Sequence, residues 1–346
     1  MSQDLLHSHL AARPLILVDI DGTCSEFVTN PEDAQIVDAF LQAARHYVAD
    51  DVNGLVFVTG RDKASADRMI YGANGSRDLP FRTLTSHGGV FTERDGELQM
   101  LPYTDTEAAF IDRFITETVA YVSTHYSNAA IDFKPGANMG KVTEPGLLNF
   151  GEGPASNVTG PLIEVKRDGL LVYTKFIEDA DLRAAAHADI AGFLETLMAS
   201  DANPEMDNRY AGLQDDTGST RSFALKHETA DQMEVRGPFS KGAALFAHGI
   251  LSEDMDRPVV CFVDTLGPDG TDRTMAKAVK QLGGIVVQVQ NPGREQSYPQ
   301  AGDPVFPDVV FGSPTALANA FHGSVVTAAP QAVQSTVGGR DPALSL

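Results

Sequence analysis

Cysteine is scarce in this chain: Cys24 and Cys261 are the only two in 346 residues. They form no metal-type cluster, and so few thiols suit a reducing compartment. Basic residues are also few, 26 Lys plus Arg against 47 Asp plus Glu, for a net charge of −21. A field of that sign repels polyanions at long range, which sets nucleic acid aside as a partner. No apolar stretch approaches the roughly 20 residues that span a bilayer. Met1 to Pro14 has neither the basic start nor the apolar core of an export signal. The expectation is a soluble, cytoplasmic protein with no membrane partner. The acidity itself has a bland reading, solubility. It also carries a condition: an anionic ligand would need Lys, Arg or a bound cation concentrated at one place.

Hydrophobic residues supply 42% of the chain, and the length is sufficient for two domains, each with its own core. Leu15–Ile20 and Leu55–Val58 are short apolar runs and read as buried strands. Helical spacing of Ile36, Val37, Phe40, Leu41 and Ala44 predicts a helix over Asp33–Tyr47, and a shorter one follows from Lys63 to Ile70. Phe81–Met100 reads as short strands around Gly88, Gly89 and Gly96. The pattern then changes. Thr104 with Glu107 forms a capping-box signature for a helix running to about Tyr126. The Gly- and Pro-rich stretch 134–161 reads as the bulk of a long loop spanning 127–161, and Asp168-Gly169 marks a hairpin between Leu162–Arg167 and Leu170–Phe176. A helix over Asp179–Met198 and strands at Arg221–Lys226 and Gln232–Arg236 complete this part. Alternation resumes with a helix from Ser240, strands at Val259–Val263, Ile285–Val289 and Asp308–Phe311, and helices at Thr271–Leu282 and Pro314–Phe321. The economical architecture is an α/β core with a parallel sheet, residues 1–100 and 238–322, interrupted by an antiparallel α+β insert at 101–237. Residues 323–346 read as a mobile tail.

The strongest local signal is Asp19-Ile20-Asp21-Gly22-Thr23, at the end of the first strand. Ligands in open parallel sheets bind beyond the carboxyl ends of the strands. One carboxylate there can attack phosphorus while the other handles the proton of the leaving group. Holding two such charges ionised beside phosphate requires a cation, and hard oxygen ligands select magnesium. The competing reading is an ordinary turn after a strand. Thr59-Gly60-Arg61 ends the second strand with a hydroxyl and a glycine that admits a close approach of phosphate. Ser240-Lys241-Gly242 puts an ammonium at a helix start. Val263-Asp264 is followed by the acid cluster Asp269-Gly270-Thr271-Asp272.

This ordered set of acid pair, hydroxyl, lysine and acid cluster resembles the motifs of the haloacid dehalogenase superfamily of phosphatases. Within it the chain is most similar to the trehalose-6-phosphate phosphatases and related sugar phosphatases, on Asp19–Thr23, Thr59–Asp62, His87-Gly88 and Glu234-Val235-Arg236 before Ser240-Lys241-Gly242. The resemblance implies a Rossmann-like core carrying an inserted cap. It also implies hydrolysis of a sugar phosphate, trehalose 6-phosphate first among candidates, through a phospho-aspartate on Asp19. Asp21 would be general acid and base. Thr59, Gly60 and Lys241 would hold the phosphoryl group. Mg2+ would be bound by Asp19, by the main-chain carbonyl of Asp21 and by Asp264, with support from Asp269 or Asp272. Glu164, Lys166, Lys175 and Arg236 would grip the sugar.

Two departures bear on the substrate. Tyr173-Thr174-Lys175 stands where these phosphatases have His-Tyr-Arg, and Thr265–Pro268 separates Asp264 from Asp269 and Asp272, with Arg273 in place of the usual Glu. Lys166, Lys175 and Arg236 also read as ordinary exposed strand positions, His87 as a turn residue, His7 and His9 as solvated, and Cys24 as packing. Four functions stay open: a phosphatase of trehalose 6-phosphate, one of another sugar, polyol or glycosyl-glycerate phosphate, a phosphomutase, and a non-catalytic sugar-phosphate sensor.

Overall fold

The computed structural model describes residues 2–26, 28, 33–50, 54–72, 80–134, 158–167, 169–205, 221–268, 270–291 and 298–327. Strands β1 (Leu15–Val18), β2 (Leu55–Val58) and β11 (Val259–Val263) are buried along their whole length. Continuous apolar sequence is what a parallel strand covered on both faces requires. β1 lies between β11 and β2, parallel to each. β3 (Arg82–Thr85) extends the sheet beyond β2, while β12 (Ile285–Val289) and β13 (Val309–Phe311) extend it beyond β11, all in parallel. β4 (Val90–Thr92) and β5 (Leu98–Met100) add an antiparallel edge, giving the order β13-β12-β11-β1-β2-β3-β4-β5. The winding direction reverses beside β1, so the crevice past the ends of β1, β2 and β11 is where this topology places a ligand.

Alternating side chains of these strands feed two cores. On one face, α1 (Ser2–Ala11), α2 (Asp38–Asp50), α3 (Lys63–Tyr71) and α8 (Pro314–Thr327) cover Ile16, Val18, Phe57 and Phe262. Phe40 sits at its centre against the rings of Phe57, Phe262 and Phe321. Full burial of each such ring contributes roughly 1.5–3 kcal/mol. On the other face, α6 (Lys241–Ala247) and α7 (Arg273–Gln281) cover Leu15, Leu17, Val56, Val58 and Cys261.

The second sheet comprises β6 (Ala130–Phe133), β7 (Leu162–Val165), β8 (Gly169–Tyr173), β9 (Ala224–Thr229) and β10 (Gln232–Arg236), in the order β6-β7-β8-β10-β9. α4 (Asp105–His125), opened by the Thr104–Glu107 capping box, and α5 (Ala180–Met198) cover one face. Leu170 and Val172 point into that core, while Leu171 and Tyr173 turn to the other face, toward the first sheet. Gly169 lies so close to β10 that a Cβ there would meet the Val235 carbonyl oxygen at 1.9 Å. Where the chain passes between the sheets, Arg167 donates to the carbonyls of Gly89 and Leu101, both at 2.7 Å. Its guanidinium also lies over the rings of Tyr103 and Phe239.

The α/β class and the parallel-rich first sheet agree with the sequence reading; several boundaries differ. α1 was not anticipated. The helix expected from Asp33 begins at Asp38, because Ile36 pairs with Ser25 and the Val37 amide donates to the Cys24 carbonyl. β6 falls inside the stretch read as a loop and runs parallel to β7, so the second sheet is mixed rather than antiparallel. Positions 135–157 of that stretch lie outside the described residues. Residues 323–327, expected in the tail, are the last turn of α8, and 328–346 lie outside the described residues. Among the described residues no helix is long and apolar enough to cross a membrane.

Candidate active site

Asp19 follows β1 directly and is buried. Its amide is fixed by the Phe262 carbonyl of β11, and its Oδ2 accepts from the Thr23 hydroxyl at 3.2 Å. Gly22, at φ 76, makes the turn that returns Thr23 to this position, and buried Asn291 donates to the Gly22 carbonyl. Lys241 enters from the start of α6, which Ser240 caps by accepting from the Ala243 amide. Its ammonium is buried between Asp19 Oδ1 at 2.5 Å and Asp272 Oδ1 at 2.6 Å. The glycine after Lys241 is required by packing, since a Cβ at Gly242 would lie 2.2 Å from the Thr274 carbonyl oxygen of α7.

The electrostatics are divided unevenly. Burial, reinforced by Asp272, pushes the Asp19 carboxyl up to about 7 despite Lys241. For Asp272 burial acts in the same direction, but Lys241 and the amides of Asp264 and Thr265 outweigh it and hold that carboxyl below the usual range. Lys241 is raised, because its two carboxylates outweigh the burial that would lower it.

Carboxylate oxygens of Asp19, Asp264 and Asp272 lie within 4.8 Å of one another, all buried. An all-oxygen, anionic donor set suits a hard divalent cation such as Mg2+. Such an ion would favour the ionised Asp19 that burial opposes, so the residues fit the cofactor. Both Asp272 oxygens are already engaged, Oδ1 by Lys241 and Oδ2 by two amides and the Thr265 hydroxyl. Asp19 is engaged as well, by Lys241 and Thr23, but by fewer donors, so Asp19 and Asp264 could hold a cation while Asp272 is tied more firmly to the protein. Asp269 lies outside the described residues. The long 265–272 connection is pinned by Arg273, buried, which donates to the Leu266 carbonyl and to Asp303. This gives the arginine a role in place of the acid usual there.

Thr59 is buried at the end of β2, and its hydroxyl accepts from the Arg61 amide. Arg61 makes a two-pronged contact with Asp21, Nε to Oδ2 at 2.8 Å and Nη2 to Oδ1 at 2.6 Å. Gly60 is constrained by a neighbour: a Cβ there would fall 2.4 Å from the His87 ring.

These groups floor a cavity of about 310 Å³ whose roof is the free face of the second sheet. Glu164, Lys166, Lys175 and Arg236 all line it. Glu234 accepts from His87 at 3.0 Å, Lys166 at 3.3 Å and Arg236 at 2.7 Å. Burial would raise Glu234, but the charges of His87, Lys166 and Arg236 hold it well below the usual carboxylate range. Lys175 lies over the rings of Tyr173 and Phe176, its pKa lowered by burial. Lys134, missed from sequence, follows β6 and donates to Asp132 and Glu164 at 2.8 and 3.2 Å. Arg61 was read only as part of a motif. Its position one residue beyond Thr59-Gly60, at a strand end facing Asp21, was the available signal.

No family model matches the sequence, nor does any curated protein. Solved structures do. The C-terminal domain of trehalose-6-phosphate phosphatase from C. albicans superposes over 94% of this chain and 97% of that domain, with a TM-score of 0.59 at 14% identity. The chain has the fold of that phosphatase domain. Trehalose-6-phosphate phosphatase from Aspergillus fumigatus aligns over 94% of this chain and 98% of its own, at 16% identity and a TM-score of 0.51. A trehalose-6-phosphate phosphatase related protein aligns over 90% and 97%, at 14% identity and a TM-score of 0.50. The resemblance carried by four short motifs thus extends, as a fold, across nearly the whole chain, the second sheet included.

Proposed function

We propose that the protein is a magnesium-dependent phosphatase of a sugar phosphate, with trehalose 6-phosphate the leading substrate. The observation that carries this reading is the buried Asp19–Lys241–Asp272 cluster opening into a cavity roofed by alternating acidic and basic side chains. In this reading Lys241, Thr59 and the Gly60 amide hold the phosphoryl oxygens. The Asp19 oxygen attacks phosphorus, and the P–O bond to the sugar breaks as Asp21 protonates the departing sugar oxygen, releasing it as a hydroxyl. Asp21 then takes a proton from the water that attacks phosphorus in the phospho-aspartate, which releases phosphate and restores Asp19. Arg61 holds Asp21 at the cavity wall for both transfers. Mg2+, ligated by Asp19 and Asp264, would supply charge neutralisation at the phosphoryl oxygens. Glu164, Lys166, Glu234 and Arg236 offer the charged donors and acceptors that recognise sugar hydroxyls, and closure of the roof excludes bulk water.

A second reading keeps the chemistry and changes the sugar. Lys175, seated on two aromatic rings where the resembled phosphatases carry an arginine, favours a leaving group other than trehalose. Phosphate release from trehalose 6-phosphate and a panel of sugar, polyol and glycosyl-glycerate phosphates, with Mg2+ and with EDTA, tests both. Release from trehalose 6-phosphate alone selects the first and release from another member the second. Absence of Mg2+-dependent release from every ester refutes the phosphatase reading.

A further inference from the structure

Three consecutive residues after β3 hold a left-handed backbone: Ser86 at φ 52, His87 at φ 52 and Gly88 at φ 113. Glycine adopts this region freely, but a serine and a histidine do so only where their surroundings hold them there. The surroundings are specific. The Ser86 amide donates to the Arg61 carbonyl at 2.8 Å and the His87 amide to the Thr59 carbonyl at 3.2 Å, which ties the turn to the phosphate-binding loop. Gly88 presses on α6, where a Cβ would meet Ala244 Cβ at 2.2 Å.

The turn delivers one side chain. The imidazole of His87 covers Gly60 so closely that any Cβ at that position would overlap the ring, and its Nε2 reaches Glu234 Oε1 across the cavity at 3.0 Å. Lys166 makes the same link, its ammonium 3.3 Å from the same carboxylate and 3.3 Å from the Gly60 carbonyl. The charged groups facing the ring are Glu234 and Arg236 from β10 and Lys166 from the end of β7. From the lower sheet it meets the main chain of Thr59–Arg61. Burial keeps the imidazole below the ordinary histidine range, against the pull of Glu234. Its Nε2–H donates to the Glu234 carboxylate.

We propose that His87 is a positioning residue, which fixes the Glu234 carboxylate of the upper sheet against the Thr59–Arg61 loop and so sets how the leaving group is held relative to the phosphoryl-binding groups. The inference rests on the phosphatase reading. It makes the strained turn a gauge between the two halves of the site, and it gives Gly60 a reason that phosphate binding alone does not supply.

The test compares trehalose 6-phosphate, or the best ester of the panel, with p-nitrophenyl phosphate, whose leaving group has no hydroxyls for Glu234 to recognise. Loss of a hydrogen bond to a buried charge predicts that His87→Ala lowers kcat/KM on the sugar phosphate roughly 10- to 100-fold, with p-nitrophenyl phosphate changed less than about threefold. His87→Gln, whose amide reaches as far as Nε2, restores most of the loss. His87→Asn tolerates the left-handed backbone but is too short for Glu234, so it follows alanine and carries the test if His87→Ala fails to fold. In a double-mutant cycle with Glu234→Gln, the combined loss equals the larger single loss rather than their product. Equal losses on both substrates, no loss on either, or multiplicative effects in the cycle overturn the proposal while leaving the phosphatase reading intact. A parent enzyme that releases phosphate from no ester overturns both.

Discussion

Replacing Lys241 with Met keeps the volume of the side chain and removes the only cation held between Asp19 and Asp272 among the described residues. The parent contacts are 2.5 and 2.6 Å, and all three side chains are at most 7% exposed. Removing one partner of a buried charge pair destabilises by roughly 3–5 kcal/mol, because the partners left behind keep their desolvation cost. The pH dependence follows from the titrations. Lys241 is raised above its free value of 10.5, so its stabilisation is fully present below that value and is lost only as pH rises through the higher folded one. Between pH 5 and 8 the parent therefore keeps the whole contribution. Asp19 is raised from 3.8 to about 7, so folding takes up a proton there and parent stability falls as pH rises from about 4 to 7, then levels. Without Lys241 the carboxyl moves higher still, and the fall continues above pH 7 at up to about 1.4 kcal/mol per pH unit. Urea melts in EDTA, followed by circular dichroism, should show Lys241→Met less stable by about 3–5 kcal/mol at pH 8 and by less than half of that at pH 5.5. A loss below about 1 kcal/mol at pH 8, or one independent of pH, refutes the view of Lys241 as a desolvated counter-ion.

Asp19→Asn should reduce Mg2+-dependent phosphate release by more than about 1000-fold while its thermal midpoint stays within a few degrees of the parent, because the amide removes a charge that burial opposes. Arg61→Lys replaces a planar two-pronged grip on Asp21 with a single ammonium, and kcat on any active ester should fall roughly tenfold or more; unchanged kcat removes Arg61 from the argument. Gly169→Ala forces β8 and β10 apart against the 1.9 Å approach to Val235 and should cost about 1–3 kcal/mol in a urea melt. Glu164→Ala and Lys166→Ala should weaken turnover of the best sugar phosphate at least about tenfold more than that of p-nitrophenyl phosphate; equal losses would place leaving-group recognition elsewhere.

The legibility of the sequence followed the range of the interactions. β1, β2 and β11 were readable because a strand covered on both faces must be apolar throughout, and Asp19, Thr59 and Asp264 because they sit at the ends of such strands. The Thr104 capping box was readable for the same local reason. Asp38 was not, because the helix start there is decided by Ile36 pairing with Ser25, a contact that spacing does not record. β6 was missed because Ala130–Phe133 is only four residues long, and a short edge strand depends on its neighbour more than on its own residues. The contact of Asp272 with Lys241 was not legible, since the two lie 31 positions apart in sequence. Glu234 and His87, separated by 147 positions, met only once both sheets were placed.

Arg167 bears on how such a protein can be re-engineered. It belongs to the upper sheet's hairpin, yet its guanidinium satisfies two carbonyls of the lower body and stacks on an aromatic residue of each connecting strand of chain. Deleting 101–237 would remove Leu101 and Tyr103 along with Arg167, strip the Gly89 carbonyl of its donor and uncover Phe239. The second sheet is therefore not a detachable module with inert joints. A second sheet transplanted from a structural neighbour would have to bring its own cation to the same spot, or the recipient scaffold would lose that fastening.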